Sequence, residues 1–298
     1  MANDAVTALV DGRRMRLSNL DKVLYPATGF TKGEVIDYYT RIAPVMLPHL
    51  ADRPVTLRRY PDGVAAQPFY DKDAERHAPD WLRVVRLPTP GSTKGHDEIG
   101  FAVLDGLPGL VWAANLAGLE LHVPQWKVGP QGDPEPPDLL VFDLDPGPPA
   151  TVVQCARVAE AIRDAVAEDG LQCYPKTSGS KGLQVYAPVR VDDQDTWAYA
   201  RDVAERLAAG RPREVVARMT KVVRRGKVLV DWSQNNPAKT TIAPYSLRGR
   251  EHPTVSTPVT WEEIAGCETP ADLVFTSDDV LDRVRRHGDL FAPLHTVR

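Results

Sequence analysis

Cysteine is scarce in this chain. The three thiols, Cys155, Cys173 and Cys267, are odd in number, widely spaced and in no C-x-x-C pair. That excludes a disulfide framework and a cysteine-built zinc site, and it points to a reducing cytoplasm. No run of 18 apolar residues occurs, so no transmembrane helix is expected. The N-terminus, MANDAVTALVDGRRMR, lacks the basic start and apolar run of a signal peptide. Internal repeats and low-complexity segments are absent too. What is present is ordinary globular usage, 43% hydrophobic and 26% charged over 298 residues, which excludes collagen-like, wholly disordered and coiled-coil classes. A chain this long buries enough surface to fold without a structural metal. Its 27 prolines and 21 glycines predict many loops and few long helices.

The formal net charge of -4 argues against a nucleic-acid partner. The distribution argues the other way. Residues 13–59 carry nine Lys or Arg against four acids, and residues 211–250 carry ten against two, while residues 131–170 carry nine acids against two arginines. Two basic segments flanking an acidic one suit a phosphate-binding groove around a metal site. Solvated surface with accidental clustering gives the same counts.

Read for elements, residues 8–25 form a ribbon ending at Tyr25-Pro26. Thr31 and Glu34 make a capping box for a helix that Pro44 and Pro48 interrupt. PVTLRRYP is a short strand, and residues 61–100 hold loops and short strands. LPGLVWAANLAGLELHVPQW reads as a helix and then a strand carrying His122. GPQGDPEPPD, residues 129–138, is a loop, and DLLVFDLDPG is an apolar strand. TVVQCARVAEAIRDAVAEDG and TWAYARDVAERLAAG are helices. LQCYPKTSGSKGLQVYAPV is strand, glycine-rich loop, strand. KVVRRGKVLVDWSQ reads as a hairpin turning at Arg225-Gly226. One or two short helices close the chain over 258–291. The order is mixed α+β, with no sustained βαβ alternation.

The sharpest chemical signal is Asp143-Leu144-Asp145. Strand side chains alternate, so both carboxylates share a face. Paired carboxylates repel, and a divalent cation with oxygen ligands, Mg2+ or Mn2+, is a reason to keep them. Two surface acids at a strand end are the plainer alternative. Asp231 ends a second apolar strand. It is either a third ligand of a two-metal site or a turn residue. Thr177-Ser178-Gly179-Ser180-Lys181-Gly182 joins two strands. Its glycines let backbone N–H groups close on an anion and its Ser and Lys add donors, although it is no Walker A loop and also suits a flexible turn. His122 suits a phosphate contact or a hydrogen-bonded core position. Arg224, Arg225, Lys227, Lys239 and Arg248 surround Asp231 in sequence, and the arginines suit bidentate phosphate contacts, with an ordinary basic surface as the alternative. Phe69 and Tyr70, downstream of Arg58 and Arg59, suit base stacking or a core pair.

Taken in order, these features resemble the polymerase domain of bacterial ligase D, in the archaeo-eukaryotic primase superfamily. The residues that carry the resemblance are SNLDKVLYP, APVMLPHLADRPVTLRRYPDG, LHVPQW, VFDLDPG, TSGSKGL and GKVLVDWSQNNPAKTTIAPYSLRGR, from about Leu17 to about Leu290. The resemblance implies a primase-like α+β core of mixed sheets flanked by helices, in one domain spanning 1–298. Residues of about 1–60 would form a DNA-end-binding module and about 61–298 the catalytic core. It implies template-dependent addition of nucleotides to a 3′-OH, with a bias toward ribonucleotides and a preference for manganese over magnesium. Asp143, Asp145 and Asp231 look like the metal ligands. Ser178, Lys181, His122 and Arg248, with Arg224, look like triphosphate contacts. Phe69, Tyr70, Arg58 and Gln234 fall near the base, sugar or nucleotide, and Asn19, Lys22 and Lys32 resemble the pocket for a DNA 5′-phosphate.

The family often reads S-G-S-K-G-L-H where this chain has Gln184, which donates a hydrogen bond without carrying charge. No K-x-D-G for lysine adenylation occurs. The chain is therefore either an excised domain or, as its Met1 start favours, a stand-alone polymerase acting at the nucleoid with a separate DNA ligase and an end-binding protein. A metal-dependent phosphoesterase and a non-catalytic binder of 5′-phosphorylated ends are the rival classes.

Overall fold

The computed structural model describes residues 5–89, 97–190 and 195–295. The chain opens with two short antiparallel hairpins, β1 (Ala5–Val10) with β2 (Arg13–Ser18) and β3 (Val23–Tyr25) with β4 (Phe30–Thr31). Helix α1 (Lys32–Leu50) follows. Thr31 accepts the Glu34 N–H at 3.3 Å while its own N–H reaches Glu34 Oε2 at 2.7 Å, so the expected capping box is formed.

The expected interruption of α1 does not occur. Pro44 and Pro48 lie inside one continuous helix. Four residues apart, they share the solvent face, where the carbonyls they leave unpaired stay wet. The opposite face, with Val35, Tyr39, Ile42, Met46 and Leu50 fully buried, holds the helix together by packing.

Strands β5 (Pro54–Arg59), β6 (Phe69–Asp71), β7 (Val84–Pro88) and β8 (Glu98–Val103), helix α2 (Leu107–Asn115) and strand β9 (Gly118–Val123) build a first sheet. A short hairpin, β10 (Trp126–Val128) with β11 (Pro134–Pro137), comes next, so the segment read as a plain loop carries a strand. Both strands of this two-stranded ribbon are edges, where proline is tolerated. Then come β12 (Leu139–Pro146), α3 (Val152–Glu168), β13 (Tyr174–Thr177), β14 (Leu183–Pro188), α4 (Thr196–Gly210), β15 (Val215–Val216), β16 (Val228–Asp231) and β17 (Thr241–Ile242), ahead of α5 (Trp261–Ala265) and α6 (Ser277–His287).

The first sheet runs β17-β9-β5-β8-β7, with β6 beside β5. The second runs β13-β14-β12-β16-β15. Every pairing in them is antiparallel except β15 with β16. Alternation sets which face each sheet buries. In β12, Leu140, Phe142 and Leu144 pack with α3 and α4 in one apolar core, which leaves Asp143 and Asp145 on the opposite face. In β9, Leu119, Leu121 and Val123 pack with α1 and α2 in a second core, which leaves Glu120 and His122 on the other side. The polar faces of the two sheets meet at a cleft.

The hairpin expected at Arg225-Gly226 is replaced by something else. Gly226 does turn the chain, at φ +70°. Its N–H is spent on the Gly147 and Pro148 carbonyls at 3.0 and 3.1 Å, Lys221–Arg224 coils into a 3-10 turn, and β16 pairs with β12. The valines decide it. Val228 and Val230 are fully buried beside the central strand, whereas Val222 is 87% exposed. The C-terminal turn is tied down by a relay in which His49 lies 2.9 Å from both Asp289 and His295.

Candidate active site

The three aspartates come together through strand register. Asp143 in β12 stands directly opposite Asp231 in β16, and opposite Gln184 in β14 on its other side. Asp145 is two residues further along the same face. Burial, then the charge of Asp145, pushes Asp143 up to about 7, with Asp231 adding to the rise. Burial and Asp231 likewise raise Asp145, and Arg224 opposes them. Three carboxylates held this close, one of them reluctant to ionise, fit hard divalent cations, which take oxygen ligands and supply the missing positive charge. The register sets both acids, near the end of β12, beside Asp231 rather than alone on the surface.

Asp231 is 4% exposed and its carboxylate is aimed by neighbours. Oδ1 accepts from Ser233 N at 3.0 Å and Ser233 Oγ at 2.5 Å, and Oδ2 accepts from Gln234 Nε2 at 2.9 Å. Lys239 Nζ reaches the same Ser233 hydroxyl at 2.5 Å. Asp231 is therefore both a turn-capping residue and a member of the carboxylate face.

The cleft, about 260 Å³, is walled by Asp143, Asp145, Ser178, Lys181, His122, Gln234 and Arg248. Ser178 Oγ accepts the N–H of Ser180 at 3.3 Å and of Gly182 at 3.1 Å, so the loop closes on its own serine. Gly182 runs against β12, where a Cβ would overlap the Leu144 carbonyl oxygen. Gly182→Ala is expected to push the loop off the sheet and lower the melting temperature by several degrees, read by thermal denaturation. Across the cleft, His122 is 9% exposed with Nε2 3.1 Å from Glu120 Oε2, and Arg248 NH1 lies 3.2 Å from the same oxygen. Burial lowers the His122 pKa despite Glu120. His122 is thus hydrogen-bonded in the strand, as the core reading has it, and also lines the cleft.

Arg58 NH1 lies 3.3 Å from Glu120 Oε1, and its guanidinium sits 5.4 Å from the Tyr60 ring centroid and 5.5 Å from that of Tyr70. Phe69 and Tyr70 are 45% and 55% exposed, so the core-pair reading fails for both, and Tyr70 meets the His122 ring edge-on at 5.8 Å. Arg224 is placed apart from the cleft walls. Its guanidinium reaches Met219 Sδ at 3.5 Å, close enough to Asp145 to lower that group's pKa.

Asn19, Lys22 and Lys32 gather at the start of α1. The Lys22 N–H donates to the Asn19 carbonyl at 3.1 Å, and the Lys32 N–H to the Lys22 carbonyl at 2.8 Å. Lys22 Nζ pairs with Asp62 at 3.0 Å. Lys32 is 5% exposed, and Nζ donates to the Ser18 carbonyl at 2.6 Å. Burial, then Lys22 and Arg59, pushes it down to about 8.

Two residues escaped the sequence reading. Glu120 accepts from both walls of the nucleotide side, and only its period-two spacing from His122 marked it. Arg250, a cleft residue, donates to Ser180 Oγ and lay unmarked in a basic run. Gln184 was marked only as a departure. Its Nε2 donates to Asp143 Oδ1 at 3.0 Å, and its buried Oε1 has no hydrogen-bond partner. Gln184→Leu removes a hydrogen bond to an ionised group, so the cation concentration for half-maximal activity is expected to change about tenfold, read in a Mn2+ titration.

A family model described as "LigD, primase-polymerase domain" matches residues 31–291. The chain belongs to that family. It is therefore a polymerase-type nucleotidyltransferase domain with the mixed α/β primase-polymerase fold. The chain is 49% identical over 283 residues to the multifunctional non-homologous end joining protein LigD of Mycolicibacterium smegmatis, covering 94% of this chain and 36% of that protein. It is 31% identical over 278 residues to the bifunctional non-homologous end joining protein LigD of Bacillus subtilis, covering 92% of this chain and 43% of that one. The chain thus spans well under half the length of these relatives. A solved structure of the polymerase domain of Mycobacterium tuberculosis ligase D in complex with DNA superposes with a TM-score of 0.87 at 46% identity, covering 94% of this chain and 98% of that one. Among the described residues, no helix of this family member is long and apolar enough to cross a membrane.

Proposed function

We propose that this chain performs template-directed addition of ribo- or deoxyribonucleotides to a primer 3′-OH at DNA gaps and 5′-phosphorylated broken ends, completing DNA before a ligase seals it in end joining or gap filling. The observation that carries the reading is the carboxylate face, with Asp143 paired to Asp231 and Asp145 beside them. It opens on a cleft whose other walls carry Ser178, Lys181, His122, Arg248 and Arg250, side chains of the kind that contact phosphate. A phosphoesterase would use the carboxylates yet has no need of exposed aromatics beside them. A pure end binder has no need of the carboxylates.

Asp143, Asp145 and Asp231 hold two Mg2+ or Mn2+ ions, which when bound activate the primer hydroxyl and carry charge on the leaving pyrophosphate. Ser178, Lys181 and the loop N–H groups grip the triphosphate from one side, and His122 and Arg248 from the other, where negative charge grows in the transition state. Gln234 holds Asp231 to its task, and Arg224 moderates Asp145. Arg58 stands near the sugar, and Phe69 and Tyr70 stack on the base or its template partner. Asn19, Lys22 and Lys32 take the downstream 5′-phosphate and fix the register, so that residues 1–60 grip the end while residues 61–298 do the chemistry. The partners are an end-binding protein and a DNA ligase, and the setting is the cytoplasm, at the nucleoid.

Primer extension on a short gap carrying a 5′-phosphate, with Mn2+ or Mg2+ and rNTPs or dNTPs, tests this. Template-matched growth of the primer, faster with rNTPs and Mn2+, is the expected result. Release of inorganic phosphate or nucleoside monophosphate without primer growth turns the reading to a phosphoesterase. Tight gap binding with no turnover turns it to an end binder.

A further inference from the structure

One carboxylate lies behind the whole nucleotide side of the cleft. Glu120 is 1% exposed. Its Oε1 accepts from Tyr60 OH at 2.8 Å and Gly249 N at 3.0 Å, with Arg58 NH1 at 3.3 Å. Its Oε2 meets His122 Nε2 at 3.1 Å and Arg248 NH1 at 3.2 Å. These donors come from three separate parts of the chain. Register explains the convergence. Arg58 in β5 stands directly opposite Glu120 in β9, His122 shares the Glu120 face two residues on, and the Leu247–Gly249 segment crosses above.

A buried carboxylate here needs a reason, because it sits where a triphosphate is to bind. Burial pushes its pKa up, and the hydrogen bond from His122 and the charge of Arg248, helped by Tyr60, more than reverse that, so it stays ionised. Without it, Arg58, Arg248 and His122 would crowd three donors at one spot with no acceptor between them. With it, each is fixed by a charge-assisted hydrogen bond in a low-dielectric setting, the His122 ring is held facing the cleft, and the two arginines keep their remaining N–H groups for it.

We propose that Glu120 is a positioning residue for phosphoryl transfer, aiming Arg248 and His122 at the triphosphate and Arg58 at the sugar. The proposal rests on the polymerase reading of the cleft. The two carboxylate oxygens divide the work. Oε1 holds the fold contacts, Tyr60 and the Gly249 backbone, Oε2 holds the two triphosphate contacts, and Arg58 NH1 reaches both, at 3.3 and 3.5 Å.

Glu120→Gln separates these halves. Its amide oxygen still accepts from Tyr60 and Gly249, while its NH2 turns a donor toward Arg248, which has only donors to offer. Primer extension is expected to lose about tenfold to a hundredfold in kcat, with KM for the nucleotide moving less than threefold, because one negative charge leaves the triphosphate site as the aim is lost. Binding to a 5′-phosphorylated gap without nucleotide stays within twofold of wild type. Because Glu120 acts through Arg248, Arg248→Ala costs tenfold or more in kcat/KM in the wild-type background but less than threefold on top of Glu120→Gln. Additive losses, or a folded Glu120→Gln enzyme with wild-type kcat, overturn the proposal. If Glu120→Gln does not fold, Glu120→Asp decides. It keeps the buried charge but withdraws it from His122 and Arg248, so kcat falls if Glu120 positions them and stays at wild type if it only stabilises the fold. The same cycle is read by calorimetry with a non-hydrolysable NTP and Mg2+. Coupling there, in a wild-type protein that extends no primer, sinks the polymerase reading and leaves Glu120 standing. Absence of coupling in an active wild-type enzyme does the reverse.

Discussion

Asp143→Asn is expected to abolish primer extension, by a thousandfold or more, while binding to a 5′-phosphorylated gap stays near wild type. Asp143 is the central carboxylate of the face, flanked by Asp231 and Gln184 in register, so under the proposed two-metal reading its loss removes a ligand shared by the whole site. The loss exceeds about 4 kcal/mol of barrier. A parallel measurement guards against misfolding. Wild type should gain thermal stability on adding Mn2+, as any ligand of the native state stabilises by mass action, and Asp143→Asn should not.

The metal-free variant should also differ in its pH dependence. The folded-state pKa of Asp143, about 7, lies above the ordinary carboxylate value. The folded protein therefore binds the extra proton between roughly pH 4 and 7, and wild type loses stability as pH rises through that window. Asp143→Asn removes this loss. Melting curves from pH 4.5 to 7.5 without metal should show wild type falling relative to the variant. Curves that run parallel would mean Asp143 ionises normally and is no strained ligand. Extension by Asp143→Asn at the wild-type rate would remove the carboxylate face from the chemistry.

The second large effect concerns the proposed end-binding pocket. Replacing Lys22 and Lys32 together by Ala is expected to weaken binding to a gap with a 5′-phosphate by about tenfold to a hundredfold, and to leave a 5′-hydroxyl gap nearly unaffected. Each lost charge-assisted hydrogen bond accounts for about 1.5–3 kcal/mol before the remaining contacts adjust. Lys32 brings a pH signature. Free, it titrates at about 8 because it is buried beside Lys22 and Arg59. A bound phosphate favours the charged amine and raises that value. Affinity is therefore full below pH 8 and falls as pH rises above it, by at most tenfold per unit, since binding must then take up a proton. The phosphate itself is already mostly dianionic above pH 7, so it does not blur the window. Fluorescence anisotropy of paired 5′-phosphate and 5′-hydroxyl gaps from pH 7 to 9.5 reads it. Equal losses on both substrates would refute a phosphate pocket, and a flat profile would remove Lys32 from it.

Much of the site was legible before any coordinates. The aspartate pair in LLVFDLDPG needs only the two-residue period of a strand to be placed on one face. TSGSKGL announces a turn rich in donors between two strands, and the capping box at Thr31 and Glu34 fixes where α1 begins. Local rules failed where a distant partner outvoted them. Two prolines argue against a helix until its buried face is seen to hold it. The turn at Arg225-Gly226 reads as a hairpin until β12 takes β16 as its neighbour instead.

The sequence by itself determined the α+β class, the family through its ordered motifs, and the kinds of group at work, because composition, period and spacing are properties of the chain alone. Only the tertiary structure decided that Asp231 stands opposite Asp143, that Phe69 and Tyr70 face solvent, and that Glu120 gathers Arg58, His122 and Arg248 on one carboxylate. Asp231 meets Asp143, and Arg58 and Arg248 meet Glu120, across tens to more than a hundred positions. Strand register and sheet order fix them, and both are set by which apolar faces must be buried together, which no local pattern states.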